Sequence, residues 1–299
     1  MKTDRNPSRP GRSPEGATAG SGHVQAQFLR PEQILAIRRR TSLAFLPLGP
    51  LEWHGPHLPL GVDPLRAEMA AVELARVMGG VALPTLYMGT ERERSPEMLR
   101  HIGFKGDEYV VGMDFPACSL RSLYCPEEMF ALVLRGWLDL IHRSWGFRRI
   151  VIVNGHGGEN HLAVINRLRL EYEAGGEVRV AAVLPVLGFP HGDCGHATRE
   201  ETETLMARYP ECIDLCRLPR REVALRNLRW AIVDGDTFTG RRHTGTVAAA
   251  EDPRDADLRR GARIFARTLG QLVRHLEAWL NRRSAPRPRR GRGAITART

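Results

Sequence analysis

The chain has 299 residues, 42% hydrophobic and 26% charged, with a formal charge of +10. This is globular composition and excludes a disordered or fibrous chain; no run of about 18 apolar residues is present, which excludes a membrane-spanning helix. The charge sits at the ends: residues 1–22 carry a net +2, residues 282–299 a net +7 with no acid, and the body between them only +1.

The N-terminus lacks the apolar centre of a secretory signal, and residues 1–27 read as a disordered tail. Residues 282–299, with SAPRPRRGRG, read as a second tail with little to bury. Its arginines offer weak contact with RNA or anionic lipid by counterion release, although a solvated tail is the simpler reading. Residues 28–281 remain as the folded domain. The five cysteines (Cys118, Cys125, Cys194, Cys212 and Cys216) form no CxxC pair, which fits a reducing cytoplasm.

In chain order, a short helical pattern begins at Pro31 and runs through Ile34–Arg38. Leu43–Leu48 is apolar throughout, as in a buried parallel strand. Asp63-Pro64 opens a helix with Asp63 as its cap; the stripe Met69, Leu74 and Val77 ends at Gly79-Gly80. Val81–Leu86 reads as the next strand. Residues 87–125 are long and polar, which marks a specificity loop or lid. Pro126–Trp145 has strong helical spacing. Ile150–Val153 is a buried strand that runs into Asn154-Gly-His156-Gly-Gly and a helix through Leu170. Val178–Leu184 is a further strand, and Glu200–Arg208 and Arg254–Leu280 are helical. Repeated strand–turn–helix units predict an α/β fold: a mostly parallel sheet with helices on both faces and ligands at the carboxyl ends of its strands.

Three polar clusters stand where such ligands would bind. Glu52, His54 and Asp63 offer a donor set suited to Zn²⁺, Mn²⁺ or Fe²⁺; the alternative is a surface turn with a capping Asp63. His156, flanked by glycines after a buried strand, can point into the strand-end crevice, or the segment is a plain turn. His196 and Glu201 lie across the start of a helix, where an imidazole beside a carboxylate suits acid/base work. Acidic residues also favour a first helical turn without any catalysis. His57 reads as a hydrogen-bonding neighbour of the first cluster, and His161 as a surface residue. Arg241-Arg242-His243 reads as an anion contact or an exposed loop, Cys194 as an alternative nucleophile, and Trp53 as a pocket wall or packing residue.

Taken together, these segments resemble the creatininase family. Gly49-Pro-Leu-Glu52-Trp-His54-Gly-Pro-His57-Leu-Pro-Leu-Gly-Val-Asp63 is similar to its first signature and Asn154-Gly-His156-Gly-Gly to its second. His196-Ala with Glu201-Thr, then Leu205-Met and Tyr209-Pro, is similar to its third. The resemblance runs from about residue 30 to about residue 280. It implies a three-layer α/β/α fold, usually a homo-oligomer, and a hydrolytic site with two divalent metal ions. Glu52 would then bind one ion and His54 the other, Asp63 would bridge them, and His156 would complete the first. A metal-activated water would attack an amide, with His196 as proton shuttle.

The third signature departs from the usual pattern at Thr198, Arg199 and Glu203, and Arg199 places a cation beside the site. Creatininase itself carries a metal-binding Glu two residues after the second-motif His, where this chain has Gly158. A one-residue slip makes Glu159 a candidate ligand, and Glu201 is the other candidate, the one preferred here. A family Trp four residues before the third-motif His is replaced by Gly192. The resemblance therefore implies a metal-dependent amidohydrolase for a small cyclic amide or formamide, other than creatininase proper. The alternatives are a family peptidase for a modified peptide and an inactive metal-binding or RNA-associated protein.

Overall fold

The computed structural model describes residues 22–282, apart from residues 113, 115, 117, 119, 193, 194, 229, 230 and 234–244. Cys194, the Arg241–His243 segment and nearly all of both basic tails thus lie outside the described residues. Residues 24–27, expected within the N-terminal tail, are seated on the sheet: Gln25 bridges Ala82, and the Val24 carbonyl accepts from the Ala82 N–H.

The elements are α1 (Pro31–Arg40), β1 (Leu43–Gly49), α2 (Val62–Met78), β2 (Val81–Ala82), β3 (Leu86–Tyr87), α3 (Pro96–His101), α4 (Glu127–Asp139), β4 (Arg149–Asn154), α5 (Glu159–Gly175), β5 (Arg179–Val183), α6 (Arg199–Met206), β6 (Arg226–Leu228), β7 (Ala231–Val233), β8 (Gly245–Thr246) and α7 (Leu258–Asn281). The main sheet has the order β2-β1-β4-β5, with β3 also beside β1, and every pairing is parallel.

Alternation along the central strands splits the core into two layers. Ala44, Leu46, Leu48, Ile150 and Ile152 pack against Phe130 and Leu134 of α4 and Val164 and Leu168 of α5. Leu43, Phe45, Val151 and Val153 pack against Ala67, Ala71 and Leu74 of α2 and Leu272 and Leu276 of α7. The result is a three-layer α/β/α domain with a mostly parallel sheet. Among the described residues no helix is long and apolar enough to cross a membrane.

Several elements differ from the sequence expectation. The strand expected over Val81–Leu86 is two short pieces, β2 and β3, separated around Pro84, which has no N–H to give a ladder. The helix expected over Pro126–Trp145 is regular only to Asp139 and continues as a wide π-type turn, Leu140–Ser144. Helix α2 starts one residue before Asp63 with Gly61 in the cap position, so Asp63 makes no cap bond and its carboxylate is available elsewhere. The antiparallel group β7-β6-β8 has no counterpart in the sequence reading, because strands of two and three residues are too short to carry a period.

The carboxyl ends of β1 and β4 share one edge, and α2 begins across it. Gly49 and Gly155 make that approach possible. A Cβ on Gly49 would stand 2.8 Å from the Asp63 Cβ, and one on Gly155 would run into the Asp63 carbonyl.

Candidate metal centre

Each of the three motifs is folded by its own local bonds. After β1 the chain doubles back, with the Glu52 N–H donating to the Leu60 carbonyl at 2.9 Å, which brings Glu52 and His54 over the start of α2. After β4 the Asn154 side chain clamps the turn: its Oδ1 accepts from the His156 N–H at 3.1 Å and its Nδ2 donates to the His156 carbonyl at 2.6 Å. In the third motif Gly195 and Ala197 both have φ of 54°, and Thr198 then caps α6 by accepting from the Glu201 N–H at 3.3 Å. Ala197, a left-handed non-glycine residue beside His196, is the kind of backbone strain that gathers at functional sites.

The side chains converge in a buried cluster. His156 Nδ1 lies 3.1 Å from Asp63 Oδ2 and 3.2 Å from Glu52 Oε2. His54 Nε2 lies 3.3 Å from Asp63 Oδ1 and 4.0 Å from Glu201 Oε1. Asp63 thus offers one oxygen to each imidazole. Two groups able to hold an ion follow, Glu52/Asp63/His156 and His54/Asp63/Glu201, with the ligand atoms of each group within 4.8 Å of one another. A third group, Glu52/His54/His196, has the same property. The His196 ring lies 4.3 Å from that of His54, and its Nδ1 is 3.9 Å from Glu52 Oε1.

Protonation in the cluster follows from packing acids and imidazoles together out of water. Burial opposes charge on His54, but Asp63, Glu201 and Glu52 outweigh it and carry its pKa up to about 10. Burial likewise opposes charge on His156, yet Glu52 and Asp63 hold it well above the ordinary imidazole value. Burial raises Glu52 and Asp63, but imidazoles outweigh it: His156 and His196 hold Glu52 down, and His54 and His156 hold Asp63 down. Burial lifts Glu201 to about 7, although His54 and Arg66 pull it down. His196 falls to about 4, first through burial and then through the nearby His54 charge. Buried carboxylates and imidazoles in two groups sharing Asp63 suit a pair of divalent cations, and Glu201 Oε2 and His196 Nε2 have no hydrogen-bond partner among the described residues.

Of the residues singled out from sequence, Glu52, His54, Asp63, His156, His196 and Glu201 meet in this cluster. Glu159 does not: it is the first residue of α5, its side chain is 76% exposed, and it pairs with Arg92 at 3.1 Å on the surface. Arg199 turns away from the cluster to Glu203 and the Ala249 carbonyl. His161 is fully buried rather than superficial, stacked on Phe130, with Nε2 donating to Asn154 Oδ1 at 2.9 Å while Nδ1 accepts from the Thr90 N–H. His57 stands outside the three groups, and its Nε2 shares a 3.0 Å hydrogen bond with Thr202 Oγ1.

Three participants escaped the sequence reading. Arg66 donates to Glu201 Oε1 at 2.7 Å and to the Pro185 carbonyl at 3.2 Å. Its spacing of three from Asp63, one turn along α2, was a usable signal. The Tyr124 hydroxyl donates to Glu52 Oε1, and Glu91 Oε2 lies 3.6 Å from His156 Nε2. Both come from the long polar stretch, where no period marks one residue over another.

Comparison with known proteins places the chain in a family. The family described as "Creatininase: Creatinine amidohydrolase" matches residues 28–276. A mycofactocin precursor peptide peptidase from Mycobacterium ulcerans (strain Agy99) is 28% identical over 246 residues, 78% of this chain and 84% of that protein. A creatinine amidohydrolase from Pseudomonas putida is 26% identical over 195 residues, 58% of this chain and 66% of that protein. A solved creatinine amidohydrolase superposes with a TM-score of 0.62 at 18% identity, covering 87% of this chain and 99% of its own; solved creatininases include a manganese form and a Zn–Zn form. The chain belongs to the creatininase family of hydrolases.

Proposed function

We propose that the protein is a metal-dependent amidohydrolase that cleaves the C–N bond of a small cyclic amide or formamide. The observation that carries this reading is the pair of buried ligand groups that share Asp63. Glu52, Asp63 and His156 would hold one divalent ion, and His54, Asp63 and Glu201 the other. Such a pair, when bound, polarises an amide carbonyl and makes water acidic enough to attack it. Arg66 fixes the Glu201 carboxylate, and Tyr124 fixes that of Glu52. His196, neutral at pH 7, carries a proton at its Nε2 between water and the leaving nitrogen. All six cluster side chains are buried, which suits a small substrate or a chain end.

The similarity to mycofactocin precursor peptide peptidases favours a second reading, hydrolysis at one end of a modified peptide. Metal-reconstituted protein assayed against creatinine, cyclic amides, formamides and short peptides separates the two. Turnover confined to peptides moves the assignment to the peptidase, and folded, metal-loaded protein inert toward every amide class removes both.

Metal uptake must displace the protons that His54 and His156 hold in the metal-free state. Because the His54 pKa is raised to about 10, that imidazole is protonated at neutral pH, and a rising pH lowers the cost of baring it. Affinity should therefore increase with pH, by roughly tenfold per unit for each proton displaced. Calorimetric titration with Zn²⁺ or Mn²⁺ between about pH 6 and 8, in buffers of different ionisation enthalpy, counts those protons; a pH-independent affinity contradicts the assignment.

A further inference from the structure

Gly158 stands two residues after His156, and the space where its side chain would be is already filled. A Cβ there would meet Glu91 Oε2 at 2.5 Å and His156 Nε2 at 2.6 Å. The backbone of Gly158, at φ −56° and ψ 135°, is open to any L residue. The turn does not require glycine; a side chain at 158 would instead have to displace the Glu91 carboxylate or the His156 ring.

That neighbour arrives from the far side of the sequence and is firmly held. The Glu91 side chain is only 12% exposed, and its Oε1 accepts from the Arg92 N–H at 2.6 Å. The strap that bears it is tied down on both sides: Thr90 N–H donates to His161 Nδ1 at 3.3 Å, Arg94 N–H to the Val110 carbonyl at 2.8 Å, and Gly112 N–H to the Arg92 carbonyl at 3.2 Å. The Arg92 guanidinium, which would otherwise compete for Glu91, is engaged by Glu159. The Glu91 carboxylate, which also feels the Arg94 charge, stands 3.6 Å from His156 Nε2, a buried atom without a hydrogen-bond partner among the described residues, while Nδ1 of the same ring faces Glu52 and Asp63.

We propose that Glu91 is the positioning carboxylate of the metal centre. From the space that Gly158 leaves open, a small closing shift would let it accept the Nε2 proton of His156, which would commit Nδ1 to the ion held with Glu52 and Asp63. A ligating imidazole whose second nitrogen is held by a carboxylate is oriented and more basic, and loss of such a partner weakens metal binding by about 10–100-fold. This inference rests on the metal-hydrolase reading above.

The test relocates the carboxylate. Zn²⁺ binding is measured by calorimetry on the full chain for wild type, Glu91→Gln, Glu91→Ala and the double variant Glu91→Ala/Gly158→Glu, with circular dichroism and thermal unfolding confirming the fold of each. Glu91→Gln and Glu91→Ala should weaken the ion at the Glu52/Asp63/His156 group by about 10–100-fold. The double variant, which returns a carboxylate beside His156 from the other side, should regain most of that loss, whereas Gly158→Glu alone should bind poorly because two carboxylates contend for one space. Wild type that binds Zn²⁺ while Glu91→Ala binds it equally well overturns this inference alone, as does a double variant no better than Glu91→Ala. Wild type that takes up no metal overturns the hydrolase reading and this inference with it.

Discussion

Asp63→Ala should empty both halves of the centre and abolish turnover with them. The Asp63 carboxylate gives Oδ1 to His54 and Oδ2 to His156, so one substitution strips a donor from each group. Loss of a partner that merely orients a ligand costs about 10–100-fold in affinity, and loss of a donor shared by two ions should exceed that at both. Metal analysis after dialysis should fall from near two ions per chain to well below one. Unfolding measured in EDTA separates this effect from damage to the fold, since the metal-free proteins are then compared directly. A variant that keeps either ion at wild-type affinity would show that Asp63 is not shared.

His196→Ala should lower kcat by about 10²–10⁴-fold, the range for a general acid/base, with metal content near wild type. The His196 ring sits against His54 and within 3.9 Å of Glu52 Oε1, close enough that its atoms also satisfy one of the three candidate groups. The two roles diverge in the measurement: a ligand takes metal with it, whereas a proton carrier leaves the metal and slows the chemistry. Metal loss in step with activity would make His196 a ligand, and an unchanged kcat would remove it from the reaction.

The layers of the fold were legible because Leu43–Leu48 and Ile150–Val153 are apolar on both faces, a pattern that only a strand covered on both sides tolerates. Glu52, His54 and His156 were legible because each follows such a strand, and Asp63 because it stands with Pro64 at the opening of the next helix. Spacing failed where the backbone decides the direction of a side chain. Glu159 is one residue beyond Gly158, but as the opening residue of α5 it projects to the surface, while His161, two residues later, turns inward onto Phe130. Glu91 and Tyr124 were illegible for another reason. They lie in the segment between β3 and α4, which contacts such as the pairing of Leu51 with Leu123, that of Glu93 with Val111 and the Thr90 N–H bond to His161 fold over the strand ends. Such contacts link residues with no shared period, so no pattern in the chain announces them.

The cluster draws on stretches of chain that lie far apart: residues 52–63, 156 and 196–201. Ions held there would stitch the start of α2 to the ends of β1 and β4 and to the start of α6, a cross-link that exists only in the folded chain. By mass action each ion at a hundred times its Kd adds about 2.7 kcal/mol to the folded state. The lifetime of the protein in a cell would then follow its metal supply: chains made when metal is scarce would open more often at these junctions and be degraded sooner. Limited proteolysis with and without EDTA reads out that difference, with new cuts expected first around residues 49–63 and 195–198.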